Sequence, residues 1–206
     1  MSKSNNITYL VGSENFETKP FKPYNKITCN FLIEFSKKLN LQKDVNKMSD
    51  LKALAFWCRK QNIEKLTKKG LSNEERIGLG LIFHVTPSNI ATNFIYSLFF
   101  GLLTGNSNVV KISSKKTIQS EIICKCLNQI LRQKKFEKLK RRIVIIRYEN
   151  NDNYTKDISY KCDLRIIWGG DSSIKAIRKF ELNPASTDIT FSDRSSICVI
   201  NSNSVI

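Results

Sequence analysis

The 206-residue sequence lacks the signals that identify several common classes of protein. Its six cysteines include no CxxC pair and it has a single histidine, so a zinc site is poorly supported. Eight glycines and four prolines are too few for a fibrous or low-complexity chain. The longest apolar run, at 94–103, is far shorter than a membrane span, and the polar N-terminus is unlike a signal peptide. We therefore expect a cytoplasmic protein without a membrane span, whose thiols remain free.

An excess of basic residues is the strongest bias in the composition. Lys and Arg number 34 against 18 Asp and Glu, and the net charge of +16 would suit a nucleic-acid or acidic-membrane partner. However, 25 of the basic residues are Lys, and Lys, Asn and Ile are together what an AT-biased genome supplies. Sequence-specific nucleic-acid readers rely more on Arg, because its guanidinium makes bidentate contacts. We therefore predict no nucleic-acid partner, and keep a basic nucleic-acid-binding protein as the least favoured alternative.

The hydrophobic pattern divides the chain into two parts. Residues 1–24 look like an extended lead-in, and 25–69 have apolar residues three and four apart, the spacing of amphipathic helices. Lys68-Lys69-Gly70 is typical of a helix end. We place a boundary between 70 and 78, which predicts an extended and helical segment at 1–74 and a separate domain at 75–206.

Residues 75–206 alternate between apolar runs and helical patterns. The predicted strands are 77–85, 108–112, 143–147, 164–168 and 196–200, and the predicted helices are 90–103, 117–131, 152–160 and 171–180. We expect Asp171 to cap the last helix. Continuously apolar strands that alternate with helices indicate an α/β fold, with a Rossmann-like parallel sheet covered by helices on both faces. Folds of this class bind nucleotides at the carboxyl ends of their strands.

Several short segments at these strand ends could bind a ligand. Neither GxGxxG nor GxxxxGK[ST] occurs, and the nearest candidate phosphate loop is Gly169-Gly170 before a predicted helix, where a plain strand-to-helix turn is an equal explanation. Asn89 could donate its amide N–H to an oxyanion, although the local sequence favours a simple helix cap. Lys111, with Ser113 and Ser114, could hold a ribose or its phosphate, although a solvated lysine run is the usual explanation.

The sequence offers little for nucleophilic catalysis. A reactive cysteine needs a lowered pKa, and we expect Cys124, Cys126 and Cys198 to be buried structural thiols within a helix or strand. Cys162 precedes a strand and could be exposed, but nothing marks it as activated. His84 has no evident Ser or Cys partner and is expected only to close off its strand.

Two long stretches nevertheless resemble one family. GLIFHVTPSNIATNFIYSLFFGLLTGNSNVVKISSK, at 80–115, is similar to the coenzyme-domain stretch of the LuxC-type acyl-CoA reductases, the fatty-acid reductases of bacterial bioluminescence and their relatives. CDLRIIWGGDSSIKAIRKFELNPASTDITFSDRSSICVI, at 162–200, is the stronger match, because its WGGD turn, following helix and FSDRSS segment recur in that family in this order. The resemblance covers roughly residues 75 to 200, and implies membership of the aldehyde dehydrogenase superfamily.

The resemblance also implies a coenzyme site. Pro-Ser-Asn at 87–89 is similar to the superfamily's Pro-Trp-Asn, whose Asn donates to the oxyanion, and 105–113 match a stretch whose Lys contacts the adenosine ribose or its 2′-phosphate. The turn at 169–172 matches Phe-Thr-Gly-Ser, whose helix lies near the pyrophosphate. Ser114 stands where NAD-preferring relatives often carry Glu, so the implied coenzyme is NADPH. The implied site residues are Asn89 for the oxyanion and Lys111, Ser114, Gly169, Gly170 and Ser172 around the coenzyme.

The implied reaction is reduction of a fatty acyl-CoA or acyl-protein thioester to the aldehyde through an acyl-cysteine intermediate. In the family the nucleophilic Cys follows a few dozen residues after FSDRSS, a region that this sequence does not include, and Thr190 and Ser192 lie near the place of a glutamate base. We therefore expect a truncated or split coenzyme-binding portion, inactive alone. Its expected partners are the acyl thioester, a complementary catalytic half and acyl-transferring or acyl-activating proteins. The alternative is a non-catalytic nucleotide-binding or interaction subunit.

Overall fold

The computed structural model describes residues 7–70, 75–149, 152–192 and 197–200. Its strands are β1 (Thr8–Val11), β2 (Leu81–Val85), β3 (Ser107–Ile112), β4 (Ile143–Arg147), β5 (Leu164–Trp168) and β6 (Thr187–Phe191). Its α-helices are α1 (Lys26–Asn40), α2 (Ser49–Trp57), α3 (Lys60–Gly70), α4 (Asn93–Leu103), α5 (Ile118–Leu131), α6 (Asp152–Lys161) and α7 (Asp171–Arg178). Two 3-10 helices, at Lys43–Lys47 and Lys134–Leu139, complete the regular structure of these residues.

The six strands form one sheet in the order β1-β4-β3-β2-β5-β6. All neighbouring strands are parallel except β1, which is antiparallel to β4 at one edge. The predicted α/β fold with a Rossmann-like parallel sheet is therefore confirmed. The direction of strand addition reverses at β2, because β3 and β4 follow on one side of it and β5 and β6 on the other. Such a reversal leaves a crevice at the carboxyl ends of the strands.

Helices cover both faces of the sheet, as predicted. On one face the core includes Phe35 of α1, Leu98 of α4 and Leu127 of α5. On the other face α6 and α7 pack through Ile158 and Ile174. Helix α4 buries eight of its 11 residues, in agreement with its nearly continuous apolar sequence. Within the described part of the chain, no helix combines the length and apolar character needed to cross a bilayer.

The N-terminal residues pack directly on this sheet. Strand β1 pairs with β4, and the Asn128 side chain on α5 donates a hydrogen bond to the Leu10 carbonyl at 2.8 Å. The rings of Phe35 and Phe99 meet edge to face, with centroids 5.0 Å apart, and join α1 to α4. The boundary between residues 70 and 78 stays a prediction, and 71–74 lie outside the described residues.

Two elements begin later than the sequence predicted. Strand β2 starts at Leu81 rather than at residue 77, because Gly80 has a φ of +136° and lies against the Asp163 carboxylate, where no side chain fits. Helix α4 starts at Asn93 rather than at residue 90, because the chain still turns after Pro87.

The last predicted strand, at 196–200, is wrong. Residue 196 lies outside the described residues, and 197–200 have no regular structure, with Ile197 92% exposed. The sixth strand is instead β6, whose sequence TDITF alternates between polar and apolar residues. Its side chains are half-exposed because β6 lies at the edge of the described sheet and pairs with β5.

A buried ion pair fixes β6 against β5. Arg165 is 1% exposed, and its Nε and Nη2 atoms donate to the two carboxylate oxygens of Asp188 at 2.7 and 2.9 Å. Its Nη1 atom donates to the Phe180 carbonyl at 2.9 Å, in the turn after α7. Arg178 also approaches the Asp188 carboxylate, at 3.5 Å, but its side chain is 52% exposed. The pair places a charged group in the core only because every part of the guanidinium has a partner.

A second buried polar group lies at the centre of the sheet. The His84 ring on β2 is fully buried, with Nδ1 2.8 Å from Ser97 Oγ on α4 and Nε2 2.9 Å from Asn108 Oδ1 on β3. A Ser partner for His84 was not evident from the sequence, because the two residues meet only in the tertiary fold. Burial lowers the pKa of His84 to about 4, although the bond to Asn108 opposes this shift.

The Arg165–Asp188 pair yields a prediction about stability. Asp188→Asn leaves a buried guanidinium without its counter-ion, and should lower the free energy of unfolding by about 3 kcal/mol in urea denaturation. Arg178→Ala is the matched control, because it removes an exposed partner of the same carboxylate and should cost less than about 1 kcal/mol. Equal, small losses in both variants would contradict the role given to the buried pair.

The buried imidazole yields a prediction about pH. Between the usual pKa of 6.5 and the folded value of about 4, the unfolded chain binds a proton at His84 that the folded chain does not. Wild type should therefore lose about 3 kcal/mol of stability relative to His84→Gln as the pH falls from 7 to 4. Comparing the two proteins at each pH cancels the contribution of the carboxylates to the free energy of unfolding, because the carboxylates titrate in both proteins. Parallel stability curves for the two proteins would show that His84 titrates normally.

Candidate functional site

A cleft of about 820 Å³ opens at the carboxyl ends of the parallel strands, at the reversal of strand order. Its walls are the segments that follow four neighbouring strands. The lining residues are Val85–Ile90 and Asn93, from the end of β2 onward; Lys111, Ser113 and Ser114, at the end of β3; Trp168–Gly170, from the end of β5 onward; Phe191 and Ser192, at the end of β6; and Ser173, Ala176 and Ile177, from α7. The topology therefore brings together residues that are up to about a hundred positions apart in the sequence.

Five of the six residues assigned to a site from the sequence line this one cleft: Asn89, Lys111, Ser114, Gly169 and Gly170. Ser172 is exposed in the first turn of α7 and does not line it, whereas Ser173 does. Ser173, Ala176 and Ile177 share one helix face by their spacing, and Ser172 lies on a different face. The individual roles of these residues stay predictions.

Asn89 lies in the turn between β2 and α4, where its side chain is exposed to the cleft. The alternative explanation, that it caps the next helix, is wrong, because the cap position of α4 is Thr92. Thr86 anchors the base of the same turn, since its N–H and its hydroxyl both donate to the Lys111 carbonyl, at 3.1 and 2.9 Å. The turn that carries Asn89 is thus tied to the end of β3.

Lys111 differs from the lysines that follow it. Its side chain is half-buried, its Nζ lies 5.0 Å from the centroid of the Tyr148 ring, and no carboxylate of the described residues lies within ion-pair distance. Burial lowers the pKa of its ammonium group, because part of its hydration is lost. Lys115 and Lys116 are exposed and lie outside the cleft lining. The explanation as a solvated lysine run therefore fits those two residues but not Lys111.

The turn between β5 and α7 presents backbone to the cleft. Gly170 occupies the cap position of α7 and no side chain caps its first turn. The prediction that Asp171 caps this helix is wrong, because it is the first helical residue and Gly170 precedes it in the cap position. Uncapped N–H groups at a helix N-terminus favour an anion.

Two aromatic residues of the cleft were not among the site residues assigned from the sequence. Trp168 ends β5 and Phe191 ends the neighbouring β6, so their rings stack, with centroids 3.8 Å apart and planes inclined by 10°. The indole Nε1 of Trp168 donates to Ser97 Oγ at 3.1 Å, which links it to the His84 hydrogen bonds. The position of Trp168 before two glycines was visible in the sequence, but its partners are Ser97, 71 residues earlier, and Phe191, 23 residues later.

No described cysteine lines this cleft. Burial raises the pKa of Cys126 to about 11, and the pKa values of Cys124 and Cys162 to about 12. Cys162 is 1% exposed and Cys198 is exposed, so both of these expectations were wrong, whereas Cys124 and Cys126 are buried as predicted. Among the described residues that line the cleft there is no Asp or Glu either, and Lys111 alone is charged.

Several solved structures with a similar fold are aldehyde dehydrogenases. They include an NAD-dependent benzaldehyde dehydrogenase from Corynebacterium glutamicum, with a TM-score of 0.56, 11% identity, and coverage of 83% of this chain and 42% of that one. A betaine aldehyde dehydrogenase from Staphylococcus aureus in complex with NAD⁺ has a TM-score of 0.58 and 13% identity, and the coverage is 79% and 37%. Lactaldehyde dehydrogenase from Escherichia coli has a TM-score of 0.52 and 13% identity, with coverage of 79% and 38%.

At these identities the likeness shows the fold alone, and this chain spans 37–42% of the length of those three structures. No curated protein matches this chain by sequence. A family model described as acyl-CoA reductase (LuxC) matches residues 22–206, which include every segment that lines the cleft. The chain therefore belongs to the LuxC family of acyl-CoA reductases.

Proposed function

We propose that this chain binds NADPH in the cleft, as the coenzyme-binding portion of a reductase that converts fatty acyl-CoA or acyl-protein thioesters to aldehydes. The observation that supports the proposal is the chemistry of the cleft lining. It combines one cation, several hydroxyl groups and a helix N-terminus, without a carboxylate among the described lining residues. Such a site attracts an anionic ligand with phosphate groups.

The lining residues fit the separate parts of a dinucleotide. Lys111 and Ser114, at the end of β3, would hold the adenosine ribose and its 2′-phosphate, and the N–H groups after Gly169 and Gly170 would face the pyrophosphate. When bound, the reduced nicotinamide supplies the hydride, and the protein positions it. Asn89 would donate its amide N–H to the thioester carbonyl oxygen as negative charge develops there.

The thiol that accepts the acyl group has to come from outside this cleft. All six cysteines of the sequence lie within the described residues, and none lines the cleft. We therefore propose a complementary catalytic half as partner, with acyl-transferring or acyl-activating proteins as further partners. We place the reaction in the cytoplasm, where free thiols such as those of this chain are stable.

A second candidate function is a nucleotide-binding or interaction subunit without catalysis. It is favoured by the same absence of a thiol and a carboxylate from the described cleft lining. The two candidates agree on coenzyme binding and differ in whether a catalytic half restores turnover. Mixing the chain with a Cys-containing catalytic portion of a LuxC-family reductase, and assaying thioester-dependent NADPH oxidation, separates them.

Coenzyme binding yields a prediction for Lys111. A charge-assisted contact to the 2′-phosphate contributes about 1.5–3 kcal/mol, so Lys111→Ala should weaken NADPH binding roughly ten- to a hundred-fold in calorimetry. NADH lacks this phosphate, and it should bind wild type more weakly than NADPH and lose less affinity in the variant. Lys115→Ala and Lys116→Ala are matched controls, because both ammonium groups are solvated outside the cleft. Small, uniform losses in all three variants would mean that net charge alone matters.

The position of the cysteines yields a prediction for catalysis. The purified chain should oxidise no NADPH when acyl-CoA is added, because each of its thiols lies away from the cleft. Absorbance of the reduced coenzyme gives the rate. A turnover that depends on acyl-CoA, and that Cys198→Ser abolishes, would identify the exposed Cys198 as the nucleophile and refute the need for a partner.

A further inference from the structure

We propose that Trp168 is the wall of the cleft on which the nicotinamide half of the coenzyme packs, and that His84 and Ser97 are positioning residues that hold its indole. The proposal rests on the proposed function, because it names further residues of the same site. It starts from a side chain that no other part of the proposed chemistry uses, and from the buried polar groups behind it.

Trp168 is placed to contact a planar ligand. It is half-buried, it lines the cleft directly before Gly169, and its ring stacks on that of Phe191. Aromatic rings offer a large contact area with little loss of conformational entropy. The strand order β3-β2-β5 separates Trp168 from Lys111, the residue proposed for the adenosine end. The indole therefore belongs to the opposite half of the cleft, where the nicotinamide half would lie.

The hydrogen bonds that link Trp168, Ser97, His84 and Asn108 allow only one assignment of donors and acceptors. Asn108 Nδ2 donates to the Asn106 carbonyl at 2.9 Å, so Asn108 Oδ1 is the acceptor that faces His84 Nε2. His84 Nε2 therefore carries the proton, and Nδ1 accepts from the Ser97 hydroxyl. The indole of Trp168 can only donate, and Ser97 Oγ accepts from it. Each donor in this row has one acceptor, which fixes the orientation of the indole relative to β2, β3 and α4.

The surrounding packing indicates that this row has a positional role. Ser97 is the one hydroxyl among the buried residues of α4, which are otherwise apolar or glycine, and an unbonded hydroxyl there would be costly. Gly101, one turn later, lies so close to Asn108 Oδ1 that a Cβ would collide with it. The serine and the glycine are thus explained by the need to reach His84 and, through Ser97, Trp168.

The first experiment asks whether the coenzyme touches Trp168. The chain has two tryptophans, and Trp57→Phe keeps a ring in the aromatic cluster of α2 and α4 while leaving Trp168 as the sole indole emitter. Titration with NADP⁺, which does not absorb the emitted light, should quench Trp168 with the affinity that calorimetry gives. Nicotinamide mononucleotide should also quench at high concentration, whereas 2′,5′-ADP should bind without quenching. Quenching by 2′,5′-ADP alone would assign Trp168 to the adenine and overturn the proposal.

The second experiment asks whether Ser97 and His84 position the indole. In the Trp57→Phe background, Ser97→Ala should lower the fluorescence anisotropy of Trp168 and weaken NADP⁺ binding about five-fold, with the affinity for 2′,5′-ADP unchanged. Ser97→Thr keeps the hydroxyl and should restore both values. His84→Gln keeps a donor and an acceptor and should lie between them, whereas His84→Leu should behave like Ser97→Ala.

A matched control removes the effect of stability. Ser36 on α1 is as buried as Ser97, at 4% against 5% exposed, and its hydroxyl donates to the Ala55 carbonyl at 2.6 Å, away from the cleft. Ser36→Ala should therefore lower the unfolding midpoint without changing Trp168 anisotropy or coenzyme affinity. If Ser36→Ala and Ser97→Ala changed Trp168 anisotropy and coenzyme affinity equally, the hydrogen bonds of Ser97 and His84 would contribute only to core stability. The positioning role would then be overturned.

The outcomes also separate this proposal from the function on which it rests. If calorimetry detects no binding of NADPH or NADP⁺ to wild type, the proposed function fails. If both bind but the emission of Trp168 does not change, the proposed function stands and the assignment of Trp168 is wrong.

Discussion

The central place of β2 in the sheet is the constraint on which the rest of the structure depends. With β3 on one side and β5 on the other, and helices on both faces, all five residues of β2 are buried. A polar side chain on this strand must therefore find its partners inside the protein, and His84 finds them on β3 and α4. The same central place creates the reversal of strand order that opens the cleft at the end of β2. The hydrogen bonds of His84 and the position of the cleft thus both follow from the central place of β2 in the sheet.

Continuously apolar strands could be predicted from the sequence, because their pattern does not depend on the partner. Strands β4 and β5 were placed at their observed ends, and β3 within one residue. Strand β6 was missed because TDITF alternates and owes its place to a buried Arg165–Asp188 pair, which no local pattern shows. At 197–200 a strand was predicted where none forms, since the hydrophobicity of a segment does not by itself place it in a sheet.

The segments that form the site could be predicted from the sequence, but not every side chain that lines it. Five of the predicted site residues lie at or just after the ends of strands: Asn89, Lys111, Ser114, Gly169 and Gly170. Parallel strands end at one edge of the sheet, so a shared cleft follows from the topology. Ser172 lies one position from Ser173, which does line the cleft, because adjacent residues of α7 project from different faces of the helix. Trp168, Ser97 and His84 come from three elements, and their hydrogen bonds exist only once β5, α4 and β2 have packed together.

The charge of the chain and the charge of the cleft act on ligands in different ways. A net charge of +16, carried mostly by exposed lysines, attracts any polyanion, whether nucleic acid, membrane or dinucleotide. At physiological ionic strength such attraction is screened within about 8 Å, so it raises encounter rates without selecting a ligand. Lys111 is half-buried, so its charge is less screened, and the uncapped N-terminus of α7 and the aromatic pair lie in the same cleft. Selectivity for one anion must therefore come from these placed groups, and the exposed lysines contribute only the long-range field that any basic protein would have.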